Sequence, residues 1–141
     1  MIRELEANDI NKVMEIWKHA TIEAHSFIKK EYWLDKYNEV KDVYIPMSKT
    51  FIYEESNGTK GFISILNDDF IGALFVDVSS QGKGIGSQLV EFAKKRYHTL
   101  SLAVYESNKK AVEFYKNVGF VLYEEKIDEV TNEKELIMGW K

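Results

Sequence analysis

The stretch Gln81-Gly82-Lys83-Gly84-Ile85-Gly86 is the most informative part of this chain because of the segments on either side of it. An almost unbroken apolar segment, Phe70 to Val78, precedes it. A helical pattern follows it, with apolar residues at Ile85, Leu89 and Phe92. We therefore expect a buried strand, a glycine-rich turn and the start of a helix. Unpaired N–H groups at such a turn favour an anion, and glycines allow a ligand to approach the backbone closely. The stretch predicts a phosphate-binding loop.

Two well-known phosphate loops have other spacings. A Walker A loop requires Gly-x-x-x-x-Gly-Lys followed by Ser or Thr, but here Gly82-Lys83 is followed by Gly84. The dinucleotide fingerprint requires Gly-x-Gly-x-x-Gly, and here the third glycine comes one position early. The spacing therefore disfavours a nucleotide-binding module of either kind.

The loop resembles the coenzyme A pyrophosphate loop of the GNAT superfamily of N-acetyltransferases, Gln/Arg-x-x-Gly-x-Gly/Ala, with Gln81, Gly84 and Gly86 in its defining places. A second motif follows about one βα unit later. It comprises Asn108, Ala111, Phe114-Tyr115 and Gly119-Phe120, and it resembles the Asn…Ala…Phe-Tyr…Gly-Phe pattern of the same superfamily. Two motifs in the right order make the resemblance specific.

Size and composition exclude several functions. The 141 residues suffice for one domain with a sizeable core, and we expect a single N-acetyltransferase domain over residues 1–141. The absence of cysteine excludes disulfides and a cysteinyl acyl intermediate. The three histidines have no zinc-ligand spacing, so no metal is expected. A net charge of −4 argues against nucleic acid as a partner. The sequence shows neither an apolar run long enough to span a membrane nor a leader pattern, so we expect no membrane partner. We expect a cytoplasmic enzyme.

Hydrophobic periodicity predicts the element order β-α-α-β-β-β-α-β-α-β-β and hence a mixed α/β sheet with one βαβ crossover. Two helices are predicted before the glycine loop. The first follows a cap at Asn8 or Asp9, and the second spans about Lys29 to Tyr44. The predicted strands are Ile2–Leu5, Phe51–Glu55, Gly61–Leu66, Phe70–Val78, Leu100–Val104, Phe120–Lys126 and Glu135–Trp140. The GNAT resemblance implies the same order over the whole chain. It also implies that the strands ending at Val78 and Val104 splay apart to admit the cofactor.

The resemblance implies which residues hold acetyl-CoA. Main-chain groups of about Phe75 to Val78 would pair with the pantetheine arm, and the N–H near Val76 would polarise the thioester carbonyl. The diphosphate would bind the loop and first helical turn, namely Gln81, Gly82, Lys83, Gly84, Ile85, Gly86 and Ser87. Asn108 would bind the cofactor arm, cap a helix, or do both. Among Lys83, Lys109 and Lys110, which lie at two helix starts, Lys83 is the preferred phosphate partner.

Tyr115 is the candidate general acid. A phenol of pKa near 10 can donate a proton to a departing alkylthiolate. Residues Ala111, Tyr115 and Val118 also form one helical stripe, so an aromatic that only packs in the core is the alternative. The position of Tyr115 in the GNAT motif favours the catalytic interpretation.

The acceptor side has weaker signals. His25-Ser26-Phe27-Ile28 and Tyr32-Trp33, with Ala73 to Val76, resemble the small stand-alone bacterial GNAT members of the YiaC and YjaB type. In GNATs the loop between the first two helices forms part of the acceptor site, so the resemblance implies that His25, Phe27 and Tyr32 line it. Asp69 is a further candidate for substrate contact. Candidate bases are His25, Asp68, Asp69 and Glu106, with the aspartates alternatively forming only a turn.

The leading hypothesis is an acetyl-CoA-dependent N-acetyltransferase working by direct attack of a primary amine, with no covalent enzyme intermediate. The acceptor would be a protein lysine, a protein N-terminus or a small cationic amine. A non-catalytic acyl-CoA-binding sensor is the alternative. The protein would be a monomer or a homodimer, and the apolar segment Leu136 to Trp140 is a candidate pairing edge.

Overall fold

A computed structural model describes all 141 residues, which form a seven-stranded mixed sheet with helices on both faces. The strands are β1 (Ile2–Glu4), β2 (Lys49–Glu55), β3 (Gly58–Leu66), β4 (Phe70–Val76), β5 (Leu100–Tyr105), β6 (Val121–Asp128) and β7 (Glu133–Trp140). The main helices are α1 (Ile10–Ala24), α2 (Lys30–Glu39), α3 (Ile85–Arg96) and α4 (Lys109–Asn117). The predicted order of elements and the mixed α/β class are confirmed. None of the helices combines the length and apolarity needed to cross a membrane.

The strand order in the sheet is β1-β2-β3-β4-β5-β7-β6, and every neighbouring pair is antiparallel except β4 and β5. The parallel pair is joined only at its beginning. Phe70 pairs with Ser101, and the Ser101 N–H donates to the Asp69 carbonyl at 2.9 Å. Beyond that point the two strands have no register, so they diverge towards their carboxyl ends. The predicted splay of the central strands is confirmed.

A bulge in β4 accompanies the divergence. Ala73 pairs with Ser64 of β3 and Ile71 pairs with Ile65, so Gly72 is left without a partner between them. An extra residue of this kind bends its strand and increases the local twist. The bulge lies two residues after the single pairing with β5, where the two strands begin to diverge.

Two hydrophobic cores fix the sheet between its helices. On one face α3 and α4 cover the larger core, to which Phe51, Ile63, Leu89, Leu102 and Met138 contribute fully buried side chains. On the other face α1 and α2 cover a smaller core built from Val13, Met14, Ile16, Trp17, Ile45, Ile52 and Phe62. Because both cores pack on the same sheet, the gap between β4 and β5 is held open by rigid layers on both sides.

Several predicted details are wrong. The strand predicted to reach Val78 ends at Val76, and a 3-10 turn at Val78–Ser80 follows it. Asp9 precedes α1 but does not cap it, because Arg3 binds its carboxylate at 2.8 and 3.0 Å. Strand β7, the candidate pairing edge, lies inside the sheet between β5 and β6. Its apolar side chains are therefore explained by burial within the chain.

The second predicted helix changes its geometry part of the way along. The regular helix α2 ends at Glu39, and a π-helical turn over Val40–Tyr44 and a short helical turn over Ile45–Met47 continue it. Trp33, Tyr37 and Val40 pack against the smaller core. Tyr44, at the end of the π-helical turn, is 45% exposed and is not part of this packing.

Candidate active site

A cavity of about 680 Å³ lies where β4 and β5 diverge. Its wall combines the end of α1, the free edge of β4, the glycine loop with the start of α3, and the start of α4. The lining residues are Ala20, Glu23, Ala24, Ser26, Phe27, Leu74, Phe75, Val76, Ser80, Gln81, Gly82, Gly84, Ile85, Gly86, Ser87, Ser107, Asn108, Lys109, Lys110, Ala111, Phe114 and Tyr115. Segments that are far apart in sequence therefore share one space.

The glycine loop presents backbone donors to this cavity. Gly82 and Gly84 have φ angles of +80° and +83°, a conformation that favours glycine, and a Cβ at either would meet nothing within 4 Å. Gly84 precedes the first residue of α3, and no side chain caps this helix. The first helical hydrogen bond runs from the Gln88 N–H to the Gly84 carbonyl. The N–H groups of residues 85–87 are therefore without helical partners and suit an anion.

Gly86 serves a different purpose from the other two glycines. A Cβ at this position would lie 3.3 Å from Phe114 Cζ, on the neighbouring helix α4. The absence of a side chain thus lets the start of α3 approach α4 closely. Gly86 and Phe114 both line the cavity, so this close contact forms part of its wall.

Gln81 connects the loop to both neighbouring elements. Its Nε2 donates to the Val76 carbonyl at 3.1 Å, and its Oε1 accepts from Lys110 Nζ at 3.4 Å. Lys109 and Lys110 line the cavity, whereas Lys83 is exposed at the crest of the loop and does not line it. The two lysines at the start of α4 are the cations best placed for a bound diphosphate.

The edge of β4 that faces β5 is free over most of its length. Only Phe70 pairs with β5, while Phe75 and Val76 line the cavity. Backbone N–H and C=O groups on such an edge can pair with an extended ligand as another strand would. Val78, the last residue expected to take part, lies in the 3-10 turn, is 37% exposed and does not line the cavity.

Tyr115 lies in α4 at the wall of the cavity and is 9% exposed. Its ring packs edge-on against Phe114 and Phe120, with centroids 5.3 and 5.6 Å away. Burial raises the pKa of Tyr115 well above its usual value, and no hydrogen bond contributes to the shift. The phenol therefore stays protonated near neutral pH, so it can donate a proton but cannot act as a base.

Asn108 has the helix-capping role and also borders the cavity. Its side-chain oxygen accepts from the Ala111 N–H at 3.3 Å at the start of α4. The side-chain amide nitrogen is a donor that this cap does not use. Asn108 can thus cap the helix and bind a ligand at the same time.

The predicted acceptor residues divide into two groups. Phe27 lines the cavity, and His25 lies behind it with ring centroids 5.7 Å apart. Tyr32 lies farther along the same aromatic cluster, against Trp33 at 4.9 Å. Neither His25 nor Tyr32 lines the cavity itself.

Asp69 lies at the opposite end of β4 from the glycine loop. Its carbonyl accepts from Ser101 where β4 and β5 are still paired, so it stands at the closed end of the gap. Seven residues of extended chain separate it from Val76, which corresponds to about 20 Å. Asp69 therefore does not meet the other candidate residues, and Asp68 precedes it in the same turn.

His25 is neutral in the folded protein. It is 8% exposed, and its Nδ1 lies 2.7 Å from the Thr21 carbonyl oxygen, which can only accept a hydrogen bond. Nδ1 therefore carries the proton and Nε2 is the unprotonated nitrogen. Burial lowers the pKa of His25 below its usual value of 6.5, although the bond to Thr21 opposes the shift.

This shift predicts a specific acid sensitivity of the fold. Unfolded His25 binds a proton below about pH 6.5 while the folded side chain resists protonation, so the free energy of unfolding decreases as pH falls below that value. We expect His25→Phe to reduce this slope by up to about 1.4 kcal/mol per pH unit. Urea unfolding between pH 7 and 5 measures it, with His98→Gln, an exposed histidine, as the control. An unchanged slope in His25→Phe would contradict the burial argument.

Sequence reasoning missed several residues of the cavity wall. Glu23 is the only carboxylate among the lining residues, and Ser26 and Ser107 add hydroxyl groups. A signal for Glu23 was present, because it follows Ala20 by three residues within α1, which places both on one side of the helix, and Phe27 follows in the next turn of the chain.

Comparisons with known proteins agree with this geometry. Residues 15–131 match the family described as acetyltransferase (GNAT) domain. The chain is 33% identical to the peptidyl-lysine N-acetyltransferase YiaC of Escherichia coli K12, over 99% of this chain and 96% of that protein. It is also 31% identical to the peptidyl-lysine N-acetyltransferase YjaB of Salmonella typhimurium, over 84% and 81% of the two chains.

Solved structures extend the agreement to the fold. The solution structure of apo-form YjaB from Escherichia coli superposes with a TM-score of 0.86 at 26% identity, covering 99% of this chain and 96% of that one. The PaiA N-acetyltransferase from Thermoplasma acidophilum, solved in complex with coenzyme A, has a TM-score of 0.83 at 20% identity, covering 100% and 98%. On the family match and on its identity to curated relatives, this chain belongs to the GNAT family of acetyltransferases.

Proposed function

We propose that this protein transfers the acetyl group of acetyl-CoA to the primary amine of a lysine side chain in a protein or peptide. The observation that carries the proposal is one cavity that combines the free edge of β4, the uncapped start of α3 and the side chain of Tyr115. The strand edge can pair with the extended pantetheine arm, the backbone N–H groups can bind the diphosphate, and the tyrosine can donate a proton to the leaving thiolate. The coenzyme A complex of a protein with the same fold supports the choice of cofactor.

Each part of the wall has a separate task in this proposal. The N–H groups at the start of α3, with Lys109 and Lys110, hold the diphosphate. Gln81 fixes the neighbouring backbone, and Asn108 binds the cofactor arm. The β4 backbone at Phe75 and Val76 aligns the thioester and polarises its carbonyl. Lys83 contributes charge from the exposed crest of the loop.

The reaction is a direct displacement. The amine nitrogen, in its neutral form, forms a bond to the carbonyl carbon of the thioester, and the carbon–sulfur bond breaks. The departing thiolate takes the proton of the Tyr115 hydroxyl, and the amine releases one proton to a base or to water. The Tyr115 hydroxyl is at the wall of the cavity and is protonated near neutral pH, so a proton is available there when the thiolate forms.

The charge of the chain supports a cationic acceptor. Residues 121–135 contain six carboxylates and two lysines, so this segment alone accounts for the net charge of −4 of the whole chain. It adjoins the cavity through Ser107, whose hydroxyl donates to Glu133 at 3.2 Å. A negative potential at this place attracts lysine, which carries a positive charge until it is deprotonated for attack. Two curated relatives are named as peptidyl-lysine N-acetyltransferases.

A matched set of peptides tests the proposal. One peptide has a blocked N-terminus and a single lysine, a second has arginine in place of the lysine, and a third has a free N-terminus and no lysine. With acetyl-CoA, we expect acetylation of the lysine peptide by mass spectrometry and equivalent thiol release. Arginine residues flanking the lysine should increase the rate and glutamates should decrease it. Coenzyme A binding without acetylation of any amine would instead indicate a non-catalytic sensor.

A further inference from the structure

Tyr105 lies directly behind the wall of the active-site cavity. It is the last residue of β5, the second of the two diverging strands, and is 9% exposed. Its ring is edge-on to Phe27 at 5.9 Å and to His25 at 5.6 Å. Phe27 lines the cavity, so the position of Tyr105 determines where this part of the wall stands.

A carboxylate from another part of the chain holds the Tyr105 hydroxyl. The hydroxyl donates to Asp128 Oδ2 at 2.7 Å, and Asp128 is the last residue of β6. The other carboxylate oxygen accepts from the Val130 N–H at 2.9 Å, and the Asp128 carbonyl accepts from the Asn132 N–H at 2.7 Å. One aspartate therefore binds the end of β5 and also organises the turn between β6 and β7.

These contacts connect three segments at one end of the β4–β5 gap. They are the α1–α2 loop with His25 and Phe27, the end of β5 with Tyr105, and the β6–β7 turn over residues 129–132. The start of α4, assigned above to the cofactor, follows β5 directly, and the Asn108 N–H donates to the Tyr105 carbonyl at 3.0 Å, a backbone contact that does not involve the Tyr105 hydroxyl. The start of α3 follows the glycine loop after β4. An acceptor has to reach the thioester from a direction that the cofactor leaves free.

We infer that Tyr105 is a positioning residue for the acceptor, because its bond to Asp128 holds the β6–β7 turn beside the α1–α2 loop to form the acceptor entrance. This inference rests on the proposed function. The bond joins a buried hydroxyl to a carboxylate, the kind of hydrogen bond that contributes more than a neutral pair. Breaking it releases the turn while leaving the groups assigned to the cofactor in place.

Tyr105→Phe and Asp128→Asn test the inference from the two ends of the bond. Phenylalanine keeps the ring that packs on Phe27 and His25 and removes only the hydroxyl. Tyr123→Phe is the matched control, since Tyr123 lies on β6 and is 57% exposed. For both test variants we expect the KM of a lysine peptide to rise by about tenfold, because each variant loses one charge-assisted hydrogen bond. The Kd of coenzyme A should be unchanged, and kcat should change by less than KM.

Hydrogen exchange tests the bond between Tyr105 and Asp128 in the absence of an amine substrate. The amides of Val130 and Asn132 should exchange about tenfold faster in Tyr105→Phe than in the control, with amides of α3 unchanged. A double variant should lose no more than either single variant, because both remove one bond. Unchanged exchange in the turn, an unchanged peptide KM, or an equal loss of coenzyme A affinity would overturn the inference. Failure of the wild-type protein to acetylate any amine would instead refute the proposed function, while the exchange experiment still tests the bond.

Discussion

Replacement of Tyr115 by phenylalanine should lower kcat by about 100-fold or more, the usual contribution of a positioned general acid. The substitution removes only the hydroxyl, and the ring contacts with Phe114 and Phe120 remain. The fold and the affinity for coenzyme A should therefore be retained. Thiol release at saturating acetyl-CoA and lysine peptide measures kcat, and calorimetry measures the binding of coenzyme A.

A second tyrosine provides the control for this experiment. Tyr97 follows the carboxyl end of α3, and burial also raises its pKa, but it does not line the cavity. Tyr97→Phe should leave kcat within about twofold of the wild type, because surface and peripheral changes seldom alter an active site. If Tyr115→Phe turned over as fast as Tyr97→Phe, another group would have to protonate the thiolate.

Replacement of Gly84 by alanine should weaken the binding of coenzyme A by at least about tenfold, which corresponds to the 1–2 kcal/mol cost of a left-handed conformation at a non-glycine residue. Gly84 has φ of +83° immediately before α3. Alanine either accepts this strain or shifts the loop, and a shift displaces the N–H groups at the helix start. Calorimetric titration with coenzyme A measures the effect.

Gly58 separates the effect on the site from the effect on the backbone. It has φ of +123° at the first residue of β3, directly after the turn from β2, and a Cβ there would also meet nothing within 4 Å. Gly58→Ala should therefore lower the stability by a similar amount and leave coenzyme A affinity unchanged. Equal affinity in both variants would mean that the conformation of Gly84 does not matter for the diphosphate.

The fold could be predicted largely because its signals are local. The apolar segment after Phe70, the glycine loop and the periodicity of α3 depend on neighbouring residues, and both GNAT motifs lie within short stretches. The end of β4 was harder to predict, because Val78 is apolar and the chain leaves the sheet for a reason outside its own segment. The Gln81 side chain binds the Val76 carbonyl and the loop turns there.

The backbone part of the candidate site, the glycine loop and the start of α3, could be predicted from the sequence, whereas contacts that depend on side-chain partners could not. Asp9 has the sequence signal of a helix cap, but Arg3 of β1 binds its carboxylate in the fold. Asp69 is close in sequence to β4 but lies at its amino end, far from the glycine loop at its carboxyl end, since an extended chain covers about 3.3 Å per residue. The bond between Tyr105 and Asp128 joins residues 23 positions apart, and neither residue alone carries a sequence signal for it.

A crystal structure of this protein with coenzyme A would show whether the cavity between β4 and β5 holds the cofactor as proposed. We predict that the diphosphate accepts hydrogen bonds from the N–H groups between positions 82 and 87, with Lys110 nearby. The pantetheine arm should lie along the free edge of β4, and its sulfur should lie near the Tyr115 hydroxyl. Coenzyme A bound elsewhere, or with its diphosphate away from the start of α3, would contradict the account.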